Sequence, residues 1–206
     1  LKPSGDGTED VIEKYKKILD IKLIFQDEGY VTDALNLGIE HAKGHIITFL
    51  DDDAIPTPDW LQNHVKTYTR LNIGGVAGNV IPATLIGKKL VVGHDKTSEI
   101  IPDYKPFLEE IGRKIWNCPV EGLEDYLVYI SKAGIVSYNT TTSSRAQHKI
   151  LKSLLGMGAN MSVLTKAIGN FRFPRWWILG LAYEQFLGWY IWKKGYNVVF
   201  NPKAKV

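Results

Sequence analysis

The stretch IITFLDDDAIPTPDW, Ile46 to Trp60, carries most of what the sequence says about its fold. IITFL is a short β-branched and aromatic apolar run that predicts a strand over 46–50. Three adjacent aspartates then stop it. Thr57 and Pro58 follow, an N-cap residue and a proline suited to the first helical position, and they predict a helix through about Tyr68.

Upstream, VTDALNLGIEHAK (31–43) places Leu35, Ile39 and Ala42 at helical spacing, and a short apolar run at 22–26 reads as a further strand. Downstream, GVAGNVI predicts a strand at about 75–81. Strands alternating with helices of this length imply βαβ crossovers. The expected fold class is α/β, a doubly wound, mostly parallel sheet with helices on both faces.

From 83 to 150 the pattern degrades and Pro102, Pro106 and Pro119 interrupt it. Only short helices near 105–115 and 122–131 and a strand at 134–138 are expected there. Regularity returns with GMGANMS (156–162) as a strand. A short helix from about 163, an aromatic loop from Phe171 to Trp177, a helix at about 180–194 and a last strand NVVF follow. The reading is one domain over 1–206, with a regular first part at 1–82, an irregular insertion at 83–150 and a second regular part at 151–206. Opening on a helix and stopping directly after a strand, the chain is expected to be truncated at both ends.

With 206 residues, 45% of them hydrophobic, the chain can bury a full core without disulfides. Its single cysteine, Cys118, excludes an internal disulfide framework and points to a reducing, cytoplasmic setting. The net charge of +3 is dispersed, and its one basic cluster, Lys14, Lys16 and Lys17, falls on a helix's solvated face. Nucleic acid is therefore not an expected partner. No apolar run reaches the roughly 18 residues of a spanning helix, which leaves peripheral association with the cytoplasmic face of a membrane open. The five histidines form no HExxH pair, no phosphate-cradling glycine loop is present, and the sequons at Asn139 and Asn160 are weak three-residue signals.

Asp51, Asp52 and Asp53 stand at the carboxyl end of the predicted strand, where ligands bind in open α/β sheets. Alternation along an extended backbone lets Asp51 and Asp53 face one side. Two convergent carboxylates repel each other unless a cation lies between them. Mg²⁺ or Mn²⁺ accepts one or two carboxylates and completes its shell with water and phosphate oxygens, an arrangement that would hold a diphosphate. A polar turn ahead of the Thr57 helix is the plainer use of such residues.

In FLDDDAIPTPDWL (49–61) the sequence resembles the DXD segment of the inverting family 2 glycosyltransferases, which have the GT-A fold. SGDGTEDVIEKY and DALNLGIEHAKGHIITFL are similar to that family's nucleotide-binding turn, helix and next strand. GMGANMSVLTKAIGNF and AYEQFLGWYIWKKGYNVVFNPKAKV resemble its glycine-alanine-asparagine strand and its catalytic helix with the closing strand. The resemblance covers most of 4–82 and 155–206. It implies a hexosyltransferase acting in polysaccharide or glycoconjugate biosynthesis. A sugar would move from a nucleotide-diphosphate donor to a saccharide or lipid-linked acceptor, with Mn²⁺ or Mg²⁺ as cofactor. It further implies Asp51 toward the nucleotide ribose with Asp52 beside it, Asp53 as metal ligand with Asp51 contributing, Asn36 on the donor side, and Glu184 at the catalytic aspartate's position. Leu35 stands where the family usually has arginine, and Tyr183 and Gln185 also depart from its pattern.

The residues themselves argue for Glu184 as well. Between Leu181 and Trp192 it is the one ionisable carboxyl, among Phe186, Leu187, Trp189, Tyr190 and Ile191. Desolvation raises a carboxyl pKa, and a general base works best when its pKa approaches the working pH. Phe171, Phe173, Trp176 and Trp177 precede it in the aromatic loop, and Trp176, Trp177, Tyr183 and Asn160 are the candidate acceptor-binding residues. Ordinary packing is the competing use of the aromatics, and satisfying buried backbone groups that of Asn160. A sugar-phosphate nucleotidyltransferase and a catalytically degenerate nucleotide-binding scaffold are the alternative functions on this fold class.

Overall fold

A computed structural model describes residues 1–3, 5–87, 89–92, 116–139, 148–174 and 182–206. The described chain forms two compact units, one of Leu1–Lys43 with Phe171–Tyr183, the other of Gly44–Asn170 with Glu184–Val206.

The first unit carries helices α1 (Thr8–Tyr15) and α2 (Val31–His41). Glu9 and Asp10 in the first turn of α1 complement the helix dipole. At the start of α2 the Asp33 carboxylate accepts the Tyr30 N–H at 3.0 Å, which satisfies one of the orphan donors near the helix start. The apolar run at 22–26, expected as a strand, forms none. Among the described residues its backbone bonds are to Leu1, whose amino group donates to Ile24 O at 2.7 Å and whose carbonyl accepts Gln26 N–H at 2.9 Å. Two bonds to one residue do not make a ladder.

The second unit is built on a five-stranded mixed sheet. Its strands are β1 (Ile46–Leu50), β2 (Ile73–Asn79), β7 (Leu151–Lys152), β8 (Asn160–Leu164) and β9 (Asn197–Lys205), in the order β1-β8-β2-β9-β7. Strands β1, β2 and β9 share one direction, and β8 and β7 run against them. The βαβ reading of β1 and β2 gives their common direction correctly. It does not foresee that β8 lies between them, with Leu50 opposite Asn160 and Ala77 opposite Met161. Two hairpins lie outside this sheet, β3 (Ala83–Ile86) with β4 (Lys89–Val92) and β5 (Val128–Ile130) with β6 (Val136–Tyr138).

Three helices complete the described elements, α3 (Trp60–Thr67), α4 (Thr165–Ile168) and α5 (Tyr183–Lys193). Helix α3 starts later than Thr57-Pro58 predicts. Thr57 instead opens a turn, its carbonyl accepting Trp60 N–H at 2.9 Å and its hydroxyl donating to the Asp59 carboxylate at 2.9 Å. Asp59 takes the N-cap place.

The helix expected at 122–131 is absent. Leu123, Tyr126, Leu127 and Ile130 do recur at helical spacing, but Val128–Ile130 pairs with Val136–Tyr138, and Leu127 N–H and Val128 O bond to Lys152 and Leu154. Tertiary pairing overrides the local period here. The product is a small core of Leu123, Tyr126, Val128, Tyr129 and Leu154, against which Trp189 and Trp192 of α5 pack. The strand expected over 156–162 begins only at Asn160, the closing strand continues to Lys205, and the helix expected at 105–115 lies outside the described residues. Among the described residues no helix is long and apolar enough to cross a membrane.

Candidate active site

Asp51 follows the last residue of β1, and its carbonyl accepts Ala54 N–H at 3.2 Å, closing a turn that holds all three aspartates. The Asp51 carboxyl is raised above the ordinary carboxylate range, first by partial burial and then by the charges of Asp53 and Asp52. Among the described residues none of the three forms an ion pair. The turn thus places adjacent carboxylates at the end of a sheet strand, although among the described residues no group of three or more His, Cys, Asp or Glu side chains converges to hold a metal ion.

Sheet register brings a fourth carboxylate to this end of the sheet. Because Leu50 pairs with Asn160, the residues just before β8 lie beside those just after β1. In that pre-strand loop Gly158 N–H donates to Glu184 Oε1 at 3.2 Å, and the Gln185 side-chain amide donates to Gly156 O. Two consecutive residues of α5 thus hold the loop that abuts the aspartate turn. Glu184 is pushed upward mainly by burial. Hydrogen bonds from its own N–H and that of Gly158 pull the other way, and the Asp51 charge adds a further push upward. Among the described residues its second oxygen, Oε2, is buried without a hydrogen-bond partner. A buried carboxylate oxygen in that state has an unused acceptor position.

Helix α5 sits close to this loop because Gly188 permits it: a Cβ there would lie 2.7 Å from Leu155 N. Gly156, Gly158 and Gln185 were not singled out as site residues in the sequence. The glycine pair in GMG and the departure at Gln185 were the available signals. Tyr138, at the end of β6, was also missed. Its phenol is raised by burial and then by the Glu184 charge, so it stands within that charge's field.

Asn160, an expected acceptor-binding residue, is engaged in a buried hydrogen-bond network. It is fully buried, its Nδ2 donates to Asn79 O at 3.0 Å and Ala204 O at 2.9 Å, and its Oδ1 accepts Trp60 Nε1–H and His64 Nε2–H, both at 2.8 Å. Indole can only donate and carbonyls can only accept, so this amide has one orientation. His64 must then carry its proton on Nε2. Its Nδ1 accepts from Ser162 Oγ at 2.8 Å, and Ser162 in turn accepts from Tyr68 OH at 2.9 Å. Burial lowers the His64 pKa, which agrees with the neutral ring this network requires. Gly78 is the close neighbour, since a Cβ there would fall 2.2 Å from Asn160 Oδ1.

Asn36, expected on the donor side, is held by the backbone of Phe173. Its Nδ2 donates to Phe173 O at 2.9 Å and its Oδ1 accepts Phe173 N–H at 2.8 Å, which clamps the Phe171–Phe173 segment to α2 within the first unit. Phe171 and Phe173 are buried and stack edge to face at 4.9 Å, a packing role rather than a sugar platform. The Tyr183 ring, expected on the acceptor side, meets Phe173 edge to face at 5.7 Å. Trp176 and Trp177 lie outside the described residues.

The sequence profile of glycosyl transferase family 2 matches residues 3–114. Glycosyltransferase AglE of Haloferax volcanii is 34% identical over 79 residues, 37% of this chain and 26% of that protein. Chondroitin synthase of Escherichia coli is 26% identical over 191 residues, 90% of this chain and 25% of that one. The chain therefore spans about a quarter of the length of these curated relatives. The solved mannosyltransferase PcManGT from Pyrobaculum calidifontis, in complex with GDP-Man and Mn²⁺, superposes with a TM-score of 0.57 at 17% identity, over 97% of this chain and 43% of that one. That likeness is one of fold, the GT-A arrangement.

Proposed function

The chain belongs to glycosyl transferase family 2, and on that premise we propose that it transfers a sugar from a nucleotide-diphosphate donor to an acceptor hydroxyl, with inversion and with a divalent metal. The observation that carries the reading is Glu184, whose Oε1 is pinned by Gly158 N–H while Oε2 is buried and free of partners, at the sheet end that also bears Asp51–Asp53.

In this reading Asp53, with Asp51, holds Mn²⁺ or Mg²⁺, and Asp51 and Asp52 face the donor. What supports such an ion is that the charges of Asp53 and Asp52 raise Asp51 and that none of the three forms an ion pair among the described residues; with no third side-chain ligand grouped there, the rest of the shell would come from water and the diphosphate. A divalent cation bound there supplies positive charge for the departing diphosphate. Glu184 Oε2 accepts the proton of the acceptor hydroxyl as its oxygen attacks the anomeric carbon opposite the leaving group. Burial raises the basicity of that carboxylate, and the Gly158 hydrogen bond fixes its direction. Displacement from the opposite side inverts the anomeric centre.

The test is a panel of UDP- and GDP-hexoses with Mn²⁺ and saccharide or lipid-linked acceptors, followed by NMR of the product linkage. Inversion with one donor class is expected. A product with retained configuration would remove Glu184 from this role. Binding of a nucleotide with no turnover for any donor would favour a degenerate nucleotide-binding domain.

A further inference from the structure

Away from the aspartate turn, the second unit contains a cavity of about 550 Å³ lined by Lys66, Arg70, His148, Lys149 and Lys203 and, among the described residues, by no carboxylate. The basic residues arrive from three separate segments: Lys66 and Arg70 from the last turn of α3 and just beyond it, His148 and Lys149 from the approach to β7, and Lys203 from β9. Basic residues at a helix's C-terminal end are ordinary, but that preference does not account for Lys149 and Lys203. Among the described residues none of the four Lys and Arg groups forms an ion pair. Like charges gathered round one hollow repel each other unless an anion joins them.

The floor of the cavity narrows the chemistry. Asn201 is buried there, but its Nδ2 already donates to Asn63 O at 3.1 Å and Thr67 Oγ1 at 2.8 Å, and its Oδ1 accepts Lys203 N–H at 3.0 Å. The Thr67 hydroxyl donates to Asn63 O at 2.8 Å. A neutral sugar, which needs directional partners, finds these groups engaged. A multiply charged anion instead meets three lysine ammonium groups and one guanidinium fork, the pairing suited to phosphate oxygens.

We propose that this cavity is a second binding site, for a ligand carrying a diphosphate or comparably charged phosphate-type group. It is separate from the Asp51–Glu184 site. Asn201 pairs with Gly78, and β9 lies three strand positions from β1, about 14 Å away across the sheet. The ligand's charge is read mainly by the rim, so binding weakens steeply with salt.

The probe is inorganic pyrophosphate, titrated calorimetrically at low salt in EDTA, so that no metal can recruit it to the aspartates. Wild type and Asp53→Asn bind equally, while the Arg70→Ala/Lys149→Ala double variant, altered only at exposed residues, loses at least tenfold in affinity. Sedimentation with phosphatidylglycerol and phosphatidylcholine vesicles identifies the source. Binding to the anionic vesicles alone, lost in the double variant, assigns the cavity to a lipid headgroup, and pyrophosphate binding without vesicle binding assigns it to a soluble phosphate-bearing ligand. No pyrophosphate binding by wild type, affinity unchanged in the double variant, or binding lost in Asp53→Asn would each overturn the proposal.

Discussion

Gly158 N–H holds one oxygen of Glu184 at 3.2 Å and leaves the other buried without a partner. In the proposed mechanism the first contact orients the carboxylate and the second oxygen acts as the base. Glu184→Gln keeps the size of the side chain and removes the base. Nucleotide binding should persist while transfer falls by about 10²–10⁴-fold, the usual range for loss of general base catalysis.

The same substitution has a pH signature. A carboxyl whose folded pKa is raised is best tolerated when protonated, so its stability contribution is present below its ordinary value of 4.5 and is lost as pH rises through the raised folded value. Glu184→Gln should therefore melt higher than wild type at neutral pH, with the difference closing in acid. In the active protein the acid limb of kcat/KM should lie above the ordinary carboxylate range.

His64 slopes the other way. Its pKa is lowered by burial, so its contribution is present above 6.5 and is lost as pH falls through the depressed folded value. Urea midpoints should drop as pH is taken from 7 toward 5, and His64→Gln should flatten that drop. An unchanged slope in the variant would mean that the buried network does not require the neutral ring.

Asn160 satisfies donors and acceptors from α3, β2 and β9 at once. Asn160→Ala strands several buried polar groups, each costing about 1–3 kcal/mol, and should destabilise the fold by more than about 3 kcal/mol in denaturant unfolding. Gly78→Ala, which places a methyl group 2.2 Å from Asn160 Oδ1, should cost about 1–3 kcal/mol through overpacking.

Gly188→Ala tests whether the seat of α5 positions the base. The added Cβ meets Leu155 N at 2.7 Å, a backbone atom that cannot simply rotate aside. A loss of about 1–3 kcal/mol in stability is expected. Turnover should fall further than donor binding, because Glu184 shifts while Asp51–Asp53 do not.

What could be read from the chain follows the range of the interactions. Strand β1, the aspartate turn, α5 and the closing strand were legible because period, turn chemistry and an isolated carboxyl among aromatics are all local signals. The insertion of antiparallel β8 between β1 and β2 was not, since spacing along the chain does not carry strand direction. The hydrogen-bond partners of Asn160 and Asn36 were hidden for the same reason: Trp60, His64 and Phe173 lie 96 to 137 residues away. In 122–131 a helical period was present and misleading, because the pairing of β5 with β6 and the bonds to 152–154 outweigh local preference.

The most direct test of the metal-dependent donor site is thermal stabilisation by UDP and GDP, each with and without Mn²⁺, in wild type, Glu184→Gln and Asp53→Asn. A ligand bound only by the folded state at a hundredfold excess over its Kd adds about 2.7 kcal/mol, a readily measured rise in Tm. The account predicts stabilisation by one nucleotide, only with Mn²⁺, in wild type and Glu184→Gln and not in Asp53→Asn. Stabilisation retained in Asp53→Asn, or equal with and without metal, would contradict it.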